Sequence, residues 1–514
     1  GHHGANDLAR KIAGIVDGVA AITTAGDLKF GVALDQPPEG WALANPENAK
    51  RVMADLVAGK PARLEGEAAW LSESSLPLSE DGEVVLIASN KAVSPPANGL
   101  LYHPKNLVLG IGCERGAGGD EALALALDSL AAAGLSPASV GLVASIDVKA
   151  DEAAVHHVAR HFGCPVRVFD AATLEAETPR LKTPSDIVFA EVGCHGVAEG
   201  AALAAVGPSG ALIAEKRKSR RATCAIGQAP QPFTGASLPG RARGRLMVVG
   251  IGPGSDGWRS PEVSSMVAAS TDLVGYSLYL DLLGPLAEGK ARHDFDLGKE
   301  EARVHHAMEL AGEGKSVALV CSGDAGIYAM ATLVFELLDK AEGPEGLTDG
   351  ARRIEIAVSP GISALQAAAA RAGAPLGHDF CTISLSDLLT PWEDIKRRVT
   401  AAGEGDFVIA FYNPVSKKRR TQLAWARDKL LEHRPASTPV ILATNLGREG
   451  ELIRIVPLGL LNVDDVDMLT VVVVGSSNSS TVTTGDGRTW VYTPRGYARK
   501  EGTAMTNTIA GDAA

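Results

Sequence analysis

With 514 residues the chain is too long for one ordinary hydrophobic core, so we expect about three or four domains. The net charge of −12 and the aromatic content of 4% disfavour a nucleic-acid-binding protein, which would carry basic faces and stacking aromatic side chains. No apolar run reaches about 18 residues, so no membrane span is expected. The six cysteines are scattered without a Cys-x-x-Cys pair, which indicates a reducing compartment such as the cytoplasm, and no metal site is predicted.

The first hundred residues predict a mixture of short helices and strands. Asn6 or Asp7 is placed to cap a helix that begins at Leu8, because short polar side chains accept hydrogen bonds from first-turn amides. His2 and His3 lack a carboxylate at helical spacing, which favours surface residues over metal ligands. The predicted elements are a helix over 8–15, a strand over 20–24, a helix that opens at 41–47 and ends near 58, and a strand over 84–89.

A strand that ends in glycines, Leu107 to Gly116, opens a more regular region. Strands and helices then alternate, which predicts a parallel, doubly wound sheet and an α/β fold class. The predicted elements are a helix over 120–133, a strand over 140–146, a helix over 152–162, a strand over 166–169, a strand-to-helix turn over 187–199 and a strand over 212–221.

The stretch from Arg217 to Arg245 is rich in Arg, Pro, Gly and Ser and loses apolar periodicity from about Gln228. This composition predicts a solvated interdomain linker over 230–244. Alternatively, its arginines contact a carboxylated substrate.

Three buried strands in the second half are each followed by a glycine-bearing loop. The loops are Gly250-Ile251-Gly252-Pro253-Gly254-Ser255, Ser322-Gly323-Asp324-Ala325-Gly326-Ile327-Tyr328 and Ser359-Pro360-Gly361-Ile362-Ser363-Ala364. Pro253 and Ser255 argue against the dinucleotide-binding fingerprint, which needs a third glycine in this region. Any one of these loops alone is equally consistent with a tight turn after a core strand.

In this order and spacing the loops resemble the tetrapyrrole methyltransferase family. The resemblance covers about 244–500 and continues in Phe411-Tyr412-Asn413-Pro414, in Ala443-Thr444-Asn445-Leu446-Gly447-Arg448-Glu449 and in Thr470 to Ser476. Together with Tyr412-Asn413-Pro414, the final element, Thr493-Pro494-Arg495-Gly496-Tyr497, is similar to the precorrin-3B C-17-methyltransferase branch. This resemblance implies two α/β lobes with S-adenosylmethionine between them, a precorrin or cobalt-precorrin substrate, and a homodimer.

The resemblance also implies a set of adenosylmethionine contacts. They are Pro253, Ser322, Gly323, Asp324, Ile327, Ser363, Ala364, Asn413, Asn445 and Val474. Asp324 is the expected polar anchor, with a turn-capping role as the alternative. A macrocycle with many carboxylates needs local cations, and the candidates are Lys417, Lys418, Arg419, Arg420, Arg448 and Arg495. No catalytic base is identified, although Tyr328, Tyr412 and Glu449 lie on the implicated loops.

The first half resembles cobalt-precorrin-5A hydrolase, which opens a lactone and releases a two-carbon fragment. The similarity rests on the Gly1 to Ala9 stretch, Ile22 to Ala25, Gly110 to Gly116, Ser145 to Lys149 and Lys216 to Ala225. The family has a strand ahead of Gly1, so the first domain is expected to be truncated and the activity of this half impaired. A non-catalytic tetrapyrrole-binding module is the alternative.

The sequence therefore predicts a multidomain enzyme of cobalamin biosynthesis. The expected domains are 1–104 and 105–229 (hydrolase-like), a linker over 230–244, methyltransferase lobes over 245–350 and 351–500, and a tail over 501–514. The expected reaction is methylation of precorrin-3B, or its cobalt analogue, at C-17 with ring contraction. Methylation at another ring position such as C-11 or C-20 is the alternative.

Overall fold

The structure is a computed structural model that describes residues 5–20, 29–235, 237–340 and 346–497. The chain divides into two compact units. The N-terminal unit contains residues up to Gly244 together with Gly312–Gly314 and Thr348–Glu355, and the C-terminal unit contains the remainder. His2, His3 and the tail over 501–514 lie outside the described residues, as does almost all of the predicted strand over 20–24.

The first sheet of the N-terminal unit has four strands, β1 (Trp41–Leu43), β2 (Ala62–Glu65), β3 (Val84–Ala88) and β4 (Gly99–Pro104), in the order β1-β4-β3-β2. Three helices accompany it: Ala5–Ile15, Ala49–Val57 and Ala69–Ser72. The prediction of a helix from Trp41 is wrong, because Trp41 pairs with Pro104 in an antiparallel ladder. Asn6 and Asp7 lie inside the first helix, so neither is its N-cap.

The second sheet of the N-terminal unit has the strands β5 (Leu107–Cys113), β6 (Val140–Ile146), β7 (Val166–Phe169), β8 (Ala211–Lys218) and β9 (Ala222–Gln228). Their order is β7-β6-β5-β9-β8, with β5, β6 and β7 parallel and β9 antiparallel to β5. The helices are Gly119–Ala132, Ala153–Phe162, Ala171–Ala176, Asp186–Val192 and Val197–Val206. Ile187 therefore begins no strand, and the predicted strand-to-helix turn connects two helices.

The described residues of the predicted linker, 230–235 and 237–244, include several that pack against the second sheet. Phe233 and Leu238 pack against the hydrophobic core of the second sheet. The amide of Arg241 donates to the carbonyl oxygen of Val168 at 3.0 Å, and Val168 donates back at 2.8 Å. Arg167 Nε donates to the carbonyl oxygen of Pro239 at 2.9 Å. The expectation of a solvated linker is wrong for this segment, because these contacts continue the sheet edge beside β7.

The first sheet of the C-terminal unit consists of β10 (Arg245–Gly250), β11 (Asp272–Tyr276), β12 (Ala291–Phe295), β13 (Ser316–Cys321) and β14 (Glu355–Ser359), in the order β12-β11-β13-β10-β14. Its helices are Pro261–Ala269, Ser277–Asp281, Glu300–Gly312 and Ala331–Asp339, whereas the helix Asp349–Arg352 belongs to the segment assigned to the N-terminal unit. The three predicted strands are confirmed. Because β14 pairs with β10, the sheet of the first lobe extends past the lobe boundary predicted at Gly350.

The second lobe contains a mixed sheet of β16 (Phe380–Ser384), β17 (Val408–Tyr412), β18 (Pro439–Thr444), β19 (Leu452–Pro457) and β20 (Thr470–Val474), in the order β16-β17-β20-β18-β19. Its helices are Ala364–Ala372, Trp392–Glu404 and Thr421–Leu431. A small sheet has the order β15-β22-β21, with β15 (Gly373–Ala374), β21 (Ser480–Thr483) and β22 (Thr489–Tyr492). The fold class is α/β with parallel-rich sheets and a two-lobed second half, as predicted.

No single helix within the described ranges has the length and apolar composition to cross a membrane, although the bent pair Asp186–Val192 and Val197–Val206 together meets those criteria.

Candidate functional site

The three glycine-bearing loops meet where strands β10, β13 and β14 end. The amide of Gly252 donates to the carbonyl oxygen of Gly323 at 3.1 Å, and Gly323 donates back to Gly252 at 2.8 Å. A Cβ atom at Gly361 would lie 2.1 Å from the carbonyl oxygen of Gly323, so glycine is required for this approach. The loops therefore form one backbone-lined surface, as the sequence led us to expect.

Gly323, whose φ is +67°, lies beside the loop that leads into the helix Ala364–Ala372. A Cβ atom built there would have Ser363 Cα at 3.7 Å, the amide nitrogen of Ala364 at 3.8 Å and the carbonyl oxygen of Ile362 at 3.9 Å as its nearest neighbours. Within the described residues, neither that amide nor that carbonyl has a hydrogen-bond partner. A donor and an acceptor thus lie beside Gly323, which suits a polar ligand that the backbone approaches closely.

Asp324 holds two of the loops together. Its Oδ1 atom accepts a hydrogen bond from the amide of Gly326 at 2.8 Å, and Oδ2 accepts one from the amide of Gly361 at 3.1 Å. The turn-capping role that was the alternative prediction is therefore present. Because each carboxylate oxygen accepts more than one hydrogen bond, Asp324 retains capacity for a ligand. Ile327 lies half-buried in the same loop.

Ser363 begins the helix Ala364–Ala372. Its hydroxyl accepts from the amide of Gln366, and the Gln366 side chain accepts from the amide of Ser363, which forms a capping box. Tyr412 accepts a hydrogen bond from the amide of Leu365 at 3.0 Å. Burial raises the pKa of the Tyr412 hydroxyl above its usual value. The capping box was readable in the sequence as Ser-x-x-Gln but was not predicted.

In the second lobe Asn413 and Asn445 follow the carboxyl ends of β17 and β18 with φ values of 47° and 52°. Asparagine tolerates this left-handed conformation better than most residues. Both strands pair antiparallel with β20, so their carboxyl ends share one edge of the sheet. Asn413 donates through Nδ2 to the Ser384 hydroxyl at 3.2 Å.

Val474 does not lie at the edge of the sheet that carries Asn413 and Asn445. The register places it opposite Ile409 and Val440, at the amino ends of β17 and β18. Asn413 lies four residues beyond Ile409, which corresponds to about 13 Å along a strand. Val474 is fully buried in the hydrophobic core of the sheet. Val474 therefore lies at the other edge of the sheet from Asn413, because β20 runs opposite to its neighbours, and its contact with a ligand stays a prediction.

Arg448 connects the second lobe to the loops of the first. Its Nε donates to the carbonyl oxygen of Pro253 at 2.8 Å, and its Nη2 donates to the Ser322 hydroxyl at 3.1 Å. A Cβ atom at Gly254 would lie 2.4 Å from the Arg448 side chain, so the loop passes directly beside it. Arg448 thus positions Pro253 and Ser322, and its contact with the substrate stays a prediction.

The remaining predicted cations fall into three groups. Arg419 donates to the carbonyl oxygen of Asn413 at 3.0 Å, and Arg420 pairs with Asp464 at 2.5 Å. Arg495 lines a cavity of about 560 Å³ together with His378 and Asp379, which precede β16 and lie at the edge opposite Asn413. Only Lys417 and Lys418 are exposed near Asn413 without a side-chain partner among the described residues.

Two of the three candidate catalytic residues come together. The rings of Tyr328 and Tyr412 lie 5.2 Å apart, and the Tyr328 hydroxyl donates to the carbonyl oxygen of Thr382 at 3.0 Å. Tyr328 has a φ of 50°, an uncommon conformation for a bulky residue and one that clusters at functional sites. Glu449 is exposed.

Comparison with known proteins identifies the families that the two halves of the chain match. Residues 245–462 match the family described as Tetrapyrrole (Corrin/Porphyrin) Methylases, and residues 107–227 match Cobalamin synthesis G C-terminus. A precorrin-3B C(17)-methyltransferase from a Sinorhizobium species is 45% identical over 255 residues, which is 50% of this chain and 98% of that protein. The chain belongs to the tetrapyrrole methylase family.

Two further relatives extend this comparison. A probable cobalt-factor III C(17)-methyltransferase from Salmonella typhimurium is 43% identical over 252 residues, covering 49% of this chain and 99% of that protein. The cobalamin biosynthesis protein CobIJ of Mycobacterium bovis is 41% identical over 274 residues. The chain spans 52% of the length of CobIJ, and the match covers 52% of this chain.

Proposed function

We propose that the C-terminal unit transfers a methyl group from S-adenosylmethionine to C-17 of precorrin-3B, or of its cobalt analogue, with ring contraction in cobalamin biosynthesis. The observation that carries this proposal is the backbone-lined surface of the three glycine-bearing loops, where the amide of Ala364 and the carbonyl of Ile362 lie beside Gly323. The relatives from Sinorhizobium and Salmonella, matched over nearly their full lengths, support the choice of C-17. A homodimer and a cytoplasmic location stay predictions.

Bound adenosylmethionine supplies a methyl group activated by a positively charged sulfur. We infer that Pro253, Ser322, Gly323, Asp324, Ile327, Ser363, Ala364, Asn413 and Asn445 hold it. Asp324 offers a carboxylate for an ammonium or hydroxyl group, and the amide of Ala364 offers a donor at a helix start. These residues contribute orientation and exclusion of water rather than acid–base chemistry.

Lys417 and Lys418 are the basic side chains best placed to meet carboxylates of the macrocycle. They follow the Asn413-Pro414 turn and are exposed. A protein with a net charge of −12 must concentrate cations locally to bind a polyanionic substrate. The neighbouring rings of Tyr328 and Tyr412, 5.2 Å apart, offer an aromatic surface beside the glycine-bearing loops.

The decisive measurement is mass spectrometry of the products that the full chain forms from adenosylmethionine and either precorrin-3B or cobalt-factor III. We expect one added methyl group, located at C-17 by nuclear magnetic resonance. A methyl group at C-11 or C-20 would assign the chain to another branch of the family.

The Gly323→Val variant tests the ligand site. Its side chain would project from the loop surface where the ligand is expected, so we expect adenosylmethionine affinity to fall at least about 30-fold by calorimetry, equivalent to about 2 kcal/mol. Gly289→Val is the matched control, because Gly289 has a φ of +72° and no neighbour within 4 Å of a built Cβ. Equal affinity of the two variants would contradict the site assignment.

For residues 107–227 we propose a lactone-opening hydrolase module, supported by the match to Cobalamin synthesis G C-terminus. The test is conversion of a tetrapyrrole lactone by the full chain. Binding without conversion would instead identify a non-catalytic tetrapyrrole-binding module.

A further inference from the structure

Two adjacent leucines follow β16 at the edge of the sheet that carries Asn413. Among the described residues, Leu389 and Leu388 are the two most exposed leucines, at 93% and 82%. Single exposed apolar side chains are common on protein surfaces. Two neighbouring leucines that lie almost entirely in water forgo most of the free energy that their burial would contribute. Their exposure therefore needs an explanation in the loop that holds them.

The loop is anchored on both sides of the leucine pair. Before it, Leu385 is fully buried in the core of the second-lobe sheet, and its amide donates to the carbonyl oxygen of Tyr412 at 3.0 Å. Asp387 Oδ2 accepts a hydrogen bond from Gln422 Nε2 at 3.0 Å. After the pair, Trp392 packs against the same core. The leucines are thus exposed because an anchored loop presents them to solvent.

The same loop is hydrogen-bonded to a residue of the candidate site. Arg419 Nη1 donates to the Ser386 hydroxyl at 3.1 Å, and Nη2 donates to the carbonyl oxygen of Asn413 at 3.0 Å. The Ser384 hydroxyl, at the end of β16, accepts from Asn413 Nδ2 at 3.2 Å. The leucine pair therefore lies on a loop that shares its supports with the site.

Cations and an aromatic ring lie on the segments next to this loop. Lys417 and Lys418 are exposed and directly precede Arg419, which bonds the loop. The Tyr328 ring is 51% exposed, and its hydroxyl is bonded to the carbonyl oxygen of Thr382 in β16. An apolar surface with cations beside it complements a ligand that is apolar on its faces and anionic at its rim.

We propose that Leu388 and Leu389 bind one apolar face of the tetrapyrrole substrate, while Lys417 and Lys418 meet carboxylates at its rim. This proposal rests on the methyltransferase function proposed above and names residues that hold its acceptor substrate. The ring carbons of a tetrapyrrole give it two apolar faces, and its carboxylated side chains project outward from the ring. Leucine side chains that cover one face also exclude water from the methyl-transfer site.

The experiment compares single substitutions in the full chain at two edges of the second-lobe sheet. Leu388→Ser and Leu389→Ser alter the proposed surface, and Leu389→Met retains an apolar side chain of similar size. Leu460→Ser is the matched control. Leu460 is 72% exposed and follows the end of β19 at Pro457, which lies opposite Pro439 at the other edge of the sheet.

The KM is measured for the macrocycle that the wild-type chain methylates, precorrin-3B or cobalt-factor III. We expect Leu388→Ser and Leu389→Ser each to raise this KM at least about fivefold, with kcat within about twofold of the wild-type value, because contact with a ligand face contributes to binding rather than to the chemical step. Adenosylmethionine affinity by calorimetry should not change. Leu389→Met and Leu460→Ser should keep the wild-type KM, and all variants should keep the wild-type melting temperature and sedimentation coefficient.

The outcomes separate this proposal from the one on which it rests. If the wild-type chain methylates neither macrocycle, the proposed function fails and the substrate surface fails with it. If it methylates one of them and both serine variants keep the wild-type KM, the function stands and the leucine pair is not a substrate surface. A serine variant that dissociates a wild-type dimer would overturn the proposal and assign the pair to an interface with a second copy of the chain.

Discussion

The tripeptide Gly-Ile-Gly occurs in both units and has a different structural role in each. In the N-terminal unit Gly110 and Gly112 lie inside β5, whereas in the C-terminal unit β10 ends at Gly250 and Gly252 follows it. A Cβ at Gly110 would lie 1.9 Å from the carbonyl oxygen of Ala198, so its absence lets the helix Val197–Val206 pack on the strand.

At Gly250 the close neighbours belong to loops instead. A Cβ there would lie 2.6 Å from the carbonyl oxygen of Gly323 and 2.9 Å from the amide of Gly361. Gly252 has a φ of +78°, whereas Gly112 is not in the left-handed region. A glycine pair after an apolar run thus predicts a close approach of backbone but does not say whether a helix or a loop approaches.

The largest expected effect is on the N-terminal unit. Gly110→Ala places a methyl group against helix backbone that cannot rotate away, and we expect a loss of at least about 3 kcal/mol in the free energy of unfolding. Denaturant unfolding of the full chain should show an early transition for this unit, with adenosylmethionine affinity unchanged. Gly134→Ala is the control, because Gly134 has a φ of +63° and an open Cβ position. Similar losses in both variants would show that strain, not helix packing, dominates.

The matched change in the other unit should act on ligand binding. Gly250→Ala forces apart the loops that carry Gly323 and Gly361, so we expect adenosylmethionine affinity to fall at least about 100-fold by calorimetry. The N-terminal transition should not move. Retained affinity in this variant would mean that the three loops do not form the ligand site.

The smallest effects should separate the second glycines of the two tripeptides. Gly252→Ala should destabilise the folded state by about 1 kcal/mol because its backbone is left-handed, and the added Cβ would lie 2.9 Å from the carbonyl oxygen of Trp258. The Cβ added by Gly112→Ala would lie 2.6 Å from the Thr223 hydroxyl, but the Thr223 side chain can rotate to relieve this contact. We therefore expect a larger stability loss at Gly252, measured by thermal unfolding of the single variants. The reverse order would contradict the different roles assigned to the two sites.

The sequence by itself determined the strands of the parallel sheets. The predicted strands over 140–146 and 166–169 appear at those residues, and the three strands before the glycine-bearing loops are confirmed. Parallel strands are buried on both faces, so they appear as continuous runs of Val, Leu and Ile that local pattern detects. The loops at their ends could be predicted for the same reason, since parallel strands bring their carboxyl ends to one edge.

Only the tertiary structure decided which candidate residues lie near the carboxyl ends of the strands that carry the site. Val474 ends a strand as apolar as the others, but β20 runs antiparallel to β17 and β18 and carries Val474 into the core at the far edge. Arg448 was recognisable as a cation, yet only the folded lobes show that its guanidinium group donates hydrogen bonds to Pro253 and Ser322. Strand direction in a mixed sheet and the partners of a long side chain both depend on residues far away in the chain. For that reason local sequence patterns predict these elements but not the residues that the elements contact.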